Sequence, residues 1–389
     1  MKRKVEMCRK IEMCGKAEKI TRVAALDAAR GAAVAGMYIQ HFALNQWNGN
    51  LVSGNTMILF MLCSGMSYSL MKKSAEKRGT APQLLRTRIL ARSVLIDLAG
   101  YFLILLNGPF GVVLPAYAML FLFAMPFLSC SGKALFRFSC LFFLISPPLM
   151  LAGLSLFSGA ALFADIAGGP LSALAWAPVF LLGMALGQMD LQDKTLPKKL
   201  AFTGLGILLP VKLFSRFILP GIRETVENWM VQAMEKQALA GAASVDPYAV
   251  WPRNVQPVQW HMLFVDAPQG GSLFELLTGA GLSLMFLGLF LWVGKGRLSG
   301  ILQPFAVVGK ASLTLYMAQF LLAWILQLAG IDVTALGIGS LPFGDILVAA
   351  AVLAVGNLLW RRNEGPAERM LRWFERQFWL DIKFLFNYA

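Results

Sequence analysis

Ten apolar runs alternate with short polar linkers along this chain, at residues 23–44, 56–70, 89–106, 112–128, 135–156, 171–188, 200–219, 273–293, 305–328 and 345–360. A helix needs about 20 apolar residues to cross the hydrocarbon core of a bilayer. The pattern predicts an all-α polytopic bundle of ten transmembrane helices. Linkers on one side carry Lys72, Lys73, Lys77, Arg78, Arg86 and Arg88, then Lys133 and Arg137, then Lys194, Lys198 and Lys199, then Lys295 and Arg297, then Arg361 and Arg362. Linkers on the other side, such as 45–55 and 107–111, hold no Lys or Arg. Basic linkers stay on the cytosolic side, so both termini are expected in the cytosol and the protein in the inner (plasma) membrane.

Two stretches break the alternation. Residues 220–271 form an external linker too long for an ordinary connection. Its first part, 221–240, carries an apolar stripe (Val226, Trp229, Met230) compatible with a helix. The rest is rich in Pro, Trp and Gly, including Pro247, Trp251, Pro252, Pro257 and Trp260. A lid over an external cavity and a passive interfacial loop fit this composition equally, and His261 lies within it. Residues 363–389 alternate Arg369, Arg372 and Arg376 with Met370, Leu371, Trp373, Phe374 and Phe378, the pattern of a basic amphipathic helix on an anionic leaflet. The chain thus reads as a basic cytosolic tail (1–22), a membrane domain (23–362) and an amphipathic cytosolic tail (363–389).

Composition narrows the class. Of 389 residues 57% are hydrophobic and only 14% charged, with a mean hydropathy of +0.63; a soluble domain could not cover its surface with so few polar side chains. The net charge of +14 would suit nucleic acid, but most Lys and Arg fall in the tails or in alternate linkers, which is a topology signal instead, and no nucleic-acid partner is expected. Residues 1–22 lack the apolar core of a signal peptide and read as a retained tail. Cys8 and Cys14 match no zinc spacing, and Cys63, Cys130 and Cys140 sit in or beside apolar runs as small hydrophobes, so neither disulfides nor a metal is expected.

Polar groups inside apolar runs are the candidate chemistry, because a bilayer penalises them. Arg30 and His41 are eleven positions apart in the first run, which places them about 20° apart on one helix face and roughly 16 Å apart along it. Asp27 precedes Arg30 by one turn. Asp97 lies in the third run, with functional and structural roles equally open. Lys212 and Arg216 share a face in the seventh, where snorkelling to headgroups competes with acceptor binding. Lys310 and Tyr316 lie in the ninth, and Ser64 and Tyr68 in the second. Arg86, Arg88 and Arg92 crowd the start of the third; part of this cluster sets topology, and its density suits donor phosphates. No glycine-rich phosphate loop, zinc cluster, nucleophile elbow or dinucleotide fingerprint occurs.

The stretch Leu26-Asp27-Ala28-Ala29-Arg30-Gly31 resembles the opening shared by a large superfamily of membrane acyltransferases. Arg30 and His41 at their spacing resemble the hallmark of acyltransferase type 3 and of heparan-glucosaminide N-acetyltransferase-like proteins. The second run, from Phe60 to Ser67, is similar to the stretch that follows in those families. The stretch from Gly309 to Gln319, and Gly365-Pro366-Ala367-Glu368-Arg369, resemble the closing motifs of the YeiB-like family (domain of unknown function 418). Two departures stand out. The YeiB-like branch commonly has Asn where this chain has His41, and the type 3 family separates its paired arginines by two residues where Arg88 and Arg92 have three between them.

The resemblance implies a membrane acyltransferase that moves an acyl group, acetyl foremost, from cytosolic acetyl-CoA or another acyl-CoA to a hydroxyl or amine. The acceptor would be a glycan, lipid-linked saccharide or other envelope molecule. In that scheme Arg86, Arg88 and Arg92 hold the donor phosphates, and Ser64 and Tyr68 line the donor path. His41 is the general base, with Arg30 and Asp27 beside the path. Lys212, Arg216, Asp97, Trp260 and His261 would meet the acceptor. Membrane lipids are the other partners, and a homodimer is compatible with the sequence. Direct transfer and an acyl-histidine intermediate are both open. The rival class is a transporter, lipid flippase or non-catalytic export partner, since buried charges also build permeation pathways.

Overall fold

The computed structural model describes residues 24–157, 161–239, 258–361 and 364–387. The basic tail 1–22, with Cys8 and Cys14, and most of the Pro/Trp-rich stretch, with Pro247, Trp251, Pro252 and Pro257, lie outside them. All regular structure among the described residues is helical. The helices are α1 (Ala24–Phe42), α2 (Asn55–Lys77), α3 (Pro82–Leu105), α4 (Leu114–Phe123), α5 (Gly132–Phe157), α6 (Ala161–Ala167), α7 (Ala173–Gly187), α8 (Leu196–Phe217), α9 (Leu219–Leu239), α10 (Leu273–Lys295), α11 (Gln303–Lys310), α12 (Ser312–Leu328), α13 (Gly344–Trp360) and α14 (Pro366–Asn387).

Four helical stretches are long and apolar enough to cross a membrane: Gly49–Lys77, which includes α2, then α5, α8 and α10. A fifth is the pair Ser299–Lys310 and Ser312–Leu328, if it counts as one bent span. The protein is therefore a helical bundle with the features of a membrane protein. Large apolar side chains face outward along these helices, among them Leu144, Phe202, Leu213, Phe217 and Trp292. In water such a surface would aggregate; in lipid it is matched.

Several apolar runs are shorter or more broken as helices than as sequence. The run 112–128 becomes the ten-residue α4 followed by a 3₁₀ turn, Pro126–Ser129. Pro115 starts the helix, where its missing N–H costs nothing, and Pro126 stops it. The run 305–328 is not one helix: α11 and α12 meet at Ala311 with a 67° bend. The first part of the long linker forms α9, directly after α8.

The centre of the bundle is held by backbone-to-backbone crossings at small residues. A Cβ added at Gly31 of α1 would overlap the Phe305 carbonyl of α11, and one at Gly309 the Asp27 carbonyl. Gly65 of α2 and Gly183 of α7 make the equivalent crossing against Phe180 and Leu62. These contacts fix α1, α2, α7 and α11 around Trp176, Met61, Leu62 and Phe180, all fully buried. Helix α14 lies across the end of the bundle where α1 begins, packing Leu371 inward and leaving Met370 and Trp373 exposed.

Candidate functional site

At that end a cavity of about 570 Å³ opens between α1, α2, α3, α4, the α11–α12 break and α14. This volume is within the usual range for pockets that hold a small molecule. Its wall carries Asp27, Arg30, Ser64, Ser67, Tyr68, Lys73, Lys77, Arg92, Tyr117, Lys310, Tyr316, Glu364, Glu368 and Arg372, over an apolar lining that includes Leu26, Phe60, Met71, Ile96 and Phe121.

The sequence explains how each group arrives there. Asp27 and Arg30 are one turn apart on α1 and form an ion pair of 3.2 Å. The other guanidinium nitrogen of Arg30 donates to Ser67 Oγ on α2, and Ser67 in turn donates to the Cys63 carbonyl (2.8 Å). Arg30 is thus held from two sides with little exposed surface, pointing into the cavity. Ser64 donates to the Phe60 carbonyl (2.8 Å), and the Tyr68 hydroxyl to the Phe121 carbonyl (2.9 Å), which ties α2 to α4.

The bend at Ala311 exposes the first N–H groups of α12, and Glu368 of α14 caps them. Its carboxylate accepts from Leu313 N (2.7 Å), Thr314 N (3.2 Å) and Thr314 Oγ1 (2.6 Å). A carboxylate at a helix N-terminus is favoured by both the free donors and the dipole. Thr314 Oγ1 also accepts from Ala367 N (3.0 Å), and Gly365 sits so close to Thr314 that a Cβ would collide with it. The two closing motifs therefore form one physical joint.

Of the three arginines expected at the mouth, only Arg92 lines the cavity. Arg92 Nε donates to Glu375 Oε1 at 2.7 Å, so α14 holds it in place. Arg88 is one turn further out, about 6 Å along the axis, and Arg86 projects into solvent. Lys73, Lys77 and Arg372 take their places on the wall. Lys73 donates to the Gln188 carbonyl (2.8 Å), and Arg372 pairs with Glu364.

His41 does not line this cavity. Its ring stacks on Phe110, with centroids 3.9 Å apart and planes 8° apart, and meets the edge of Phe320 at 6.0 Å. Phe320 touches Tyr316 (5.0 Å), which faces the cavity. Aromatic rings therefore partition His41 from Arg30. The polar side chain beside the imidazole is Gln319. His41 Nδ1 and both Gln319 amide atoms are buried and lack an aligned hydrogen-bond partner among the described residues. No carboxylate there orients the imidazole.

The remaining candidates are dispersed. Lys212 and Arg216 line a separate cavity of about 520 Å³ with Arg223, Glu224, Glu227 and Asp266, toward the far end of α8. Lys212 Nζ is bound to Asp266 Oδ2 at 2.8 Å. Trp260 and His261 belong to the 3₁₀ turn Trp260–Phe264; they do not line that cavity, whereas Phe264 does. Asp97 lies away from both cavities, near Asp165, to which Tyr101 donates at 2.5 Å. No group of His, Cys, Asp or Glu among the described residues is arranged to hold a metal.

Sequence reasoning passed over Ser67, Lys73, Lys77, Phe110, Gln319 and Glu375 as site residues. Ser67 and Gln319 lie within the family-like stretches 60–67 and 309–319, and Lys73 and Lys77 carry the same signal in sequence as any cytosolic linker lysine. Phe110 and Glu375 carry no local signal, since their roles depend on distant partners. No protein-family model matches the chain, nor does any curated protein.

Proposed function

We propose that this protein is an integral membrane acyltransferase with ten spans and both termini cytosolic. It would move an acyl group, acetyl foremost, from a cytosolic acyl-CoA to a hydroxyl or amine of a glycan, lipid-linked saccharide or other envelope molecule. The observation that carries this reading is the convergence of four family-like stretches on one basic cavity, which His41 of the Arg30–His41 pair does not line. Asp27 and Arg30, Ser64 and Ser67, Lys310 and Tyr316, and Glu368 come from stretches far apart in sequence and share one wall. A bundle stabilised only by apolar packing has no need for that.

In this scheme the donor phosphates rest against Arg92, Lys73, Lys77 and Arg372, and the thioester passes Arg30 toward the aromatic partition. Movement of Phe110 or Phe320 lets it reach His41. The imidazole takes the proton of the acceptor hydroxyl or amine as that atom attacks the thioester carbonyl; the carbon–sulfur bond breaks, the imidazolium returns the proton to the departing thiolate, and coenzyme A leaves as the thiol. Phe320 is buried and Phe110 half-buried, so the partition limits the water that would otherwise hydrolyse the donor.

Coenzyme A titrated calorimetrically into purified protein tests the donor site. A charge-assisted contact is worth about 1.5–3 kcal/mol, so Arg92→Gln is expected to weaken binding roughly ten- to hundredfold. Arg86→Gln should bind as wild type does. Equal loss in both variants would remove the distinction between cavity and surface arginines.

Topology is tested by cysteine labelling. Single cysteines in 45–55 should react with an impermeant external thiol reagent, and ones in 72–86 should not. The reverse pattern would place the basic cavity outside the cell.

The broken helix α11–α12 among buried charges is the one feature that favours a transporter, because discontinuous helices commonly hold transported ions. Capping of that break by Glu368 argues for a fixed joint, since it satisfies the donors an ion would otherwise meet.

A further inference from the structure

Beside the main cavity lies a smaller one of about 330 Å³, between the start of α1, the last turn of α10, the turn Ser299–Leu302, α11 and the end of α13. Lys295, Lys310 and Arg361 line it, no Asp or Glu among the described residues does, and its floor is apolar, with Leu291, Leu302 and Val307. Lys310 stands in the wall shared with the main cavity. Among the described residues neither Lys310 nor Arg361 has an ion-pair partner.

Lys295 donates to the Asp193 carbonyl oxygen at 2.7 Å. The Asp193 carboxylate itself turns away, accepting from the Thr195 amide and hydroxyl and pairing with Lys199 at 3.6 Å. The Thr195 hydrogen bonds hold that carboxyl below the usual carboxylate range, so it stays charged and committed to its own loop. Three cations thus line one concavity with no side-chain counter-charge on its wall among the described residues, an arrangement that attracts an anion. The turn flanking it is greasy: Leu298 and Ile301, chain neighbours of the lining Ser299 and Leu302, are each more than half exposed. A soluble anion needs no such flank, whereas acyl chains do.

We propose that this cavity binds the phosphate headgroup of an anionic phospholipid, with Lys295, Lys310 and Arg361 around the phosphate and the acyl chains leaving over Leu298 and Ile301. Arg and Lys both suit phosphate oxygens, and basic pockets between helices are a recurrent form of headgroup site. The proposal is independent of the acyl-transfer reading, because its readout is lipid occupancy and not turnover.

The test is native mass spectrometry of the full-length protein in detergent with added phosphatidylglycerol, alongside calorimetry with inorganic phosphate alone. Wild type should retain one phosphatidylglycerol through delipidation. Lys295→Gln with Arg361→Gln should weaken that retention at least tenfold, from loss of charge-assisted contacts. Lys295→Arg with Arg361→Lys should keep it. Lys133→Gln with Arg137→Gln, on basic positions away from the cavity, should leave it unchanged. If the double glutamine variant fails to fold, the single Arg361→Gln variant carries the same expectation. Retention equal to wild type in the glutamine variants would overturn the proposal. So would binding of inorganic phosphate at these residues with no lipid retained.

Discussion

His41→Ala is expected to lower acyl transfer by on the order of a hundredfold or more while the protein remains folded, because a positioned general base contributes about 10²–10⁴ to the rate. The ring stacks on Phe110 and lies edge-on to Phe320, so its removal costs some aromatic contact, about 0.5–1.5 kcal/mol for such a pair. That is too little to unfold a bundle of this size. His41→Phe keeps the stack and removes the base, so it separates the two roles. Turnover in single-turnover assays should fall equally in both variants, and thermal unfolding should be nearer wild type for His41→Phe. Near-normal turnover in either would remove the imidazole from the chemistry. Because no carboxylate orients the ring among the described residues, its position rests on Phe110. Coenzyme A affinity should be unchanged, since His41 lies beyond the cavity wall.

The second large effect is expected at Glu368. One carboxylate caps the start of α12 through two backbone N–H groups and the Thr314 hydroxyl. A hydrogen bond to a charged group contributes about 1.5–3 kcal/mol; the three here share one partly exposed carboxylate and are not additive, so their joint worth stays near that of a single bond. Glu368→Ala should therefore destabilise the protein by about 2–3 kcal/mol and loosen α14 from the cavity. Glu368→Gln retains an acceptor oxygen and should lose roughly half as much. Thermal unfolding measures the stability, and protease sensitivity of α14 the docking. An alanine variant as stable as wild type would show that the joint between the closing motifs is ornamental.

The helical, apolar character of the bundle was legible because lipid imposes a simple code of apolar length, and four helices, or five with the bent pair, are long and apolar enough to cross. The amphipathic helix α14 was readable for the same reason, since Arg369, Arg372 and Arg376 recur at helical spacing against Leu371 and Phe374. Interruptions were less readable. Pro115 and Pro126 could have signalled that the fourth run is a short helix, but apolar composition masked them. The break at Ala311 carries no proline at all; it depends on Gly309 meeting the Asp27 carbonyl and on Glu368 arriving from α14. Such distant pairings leave no periodic trace. Arg30 and Asp27 could be paired from spacing alone. The arginine cluster could not be resolved that way, because only the docking of Glu375 distinguishes Arg92 from its neighbours. The rings that separate His41 from the cavity, Phe320 and Phe110, come from α12 and from the linker after α3, which no spacing along α1 reveals.

The claim of acyl transfer is tested most directly by incubating purified protein with acetyl-CoA labelled in the acetyl group, together with a membrane extract as the source of acceptors. Free thiol and labelled product are then measured together. The account predicts release of coenzyme A thiol matched by label in an acceptor molecule, both lost in His41→Ala. Thiol release and label transfer no greater than with the His41→Ala variant would contradict it.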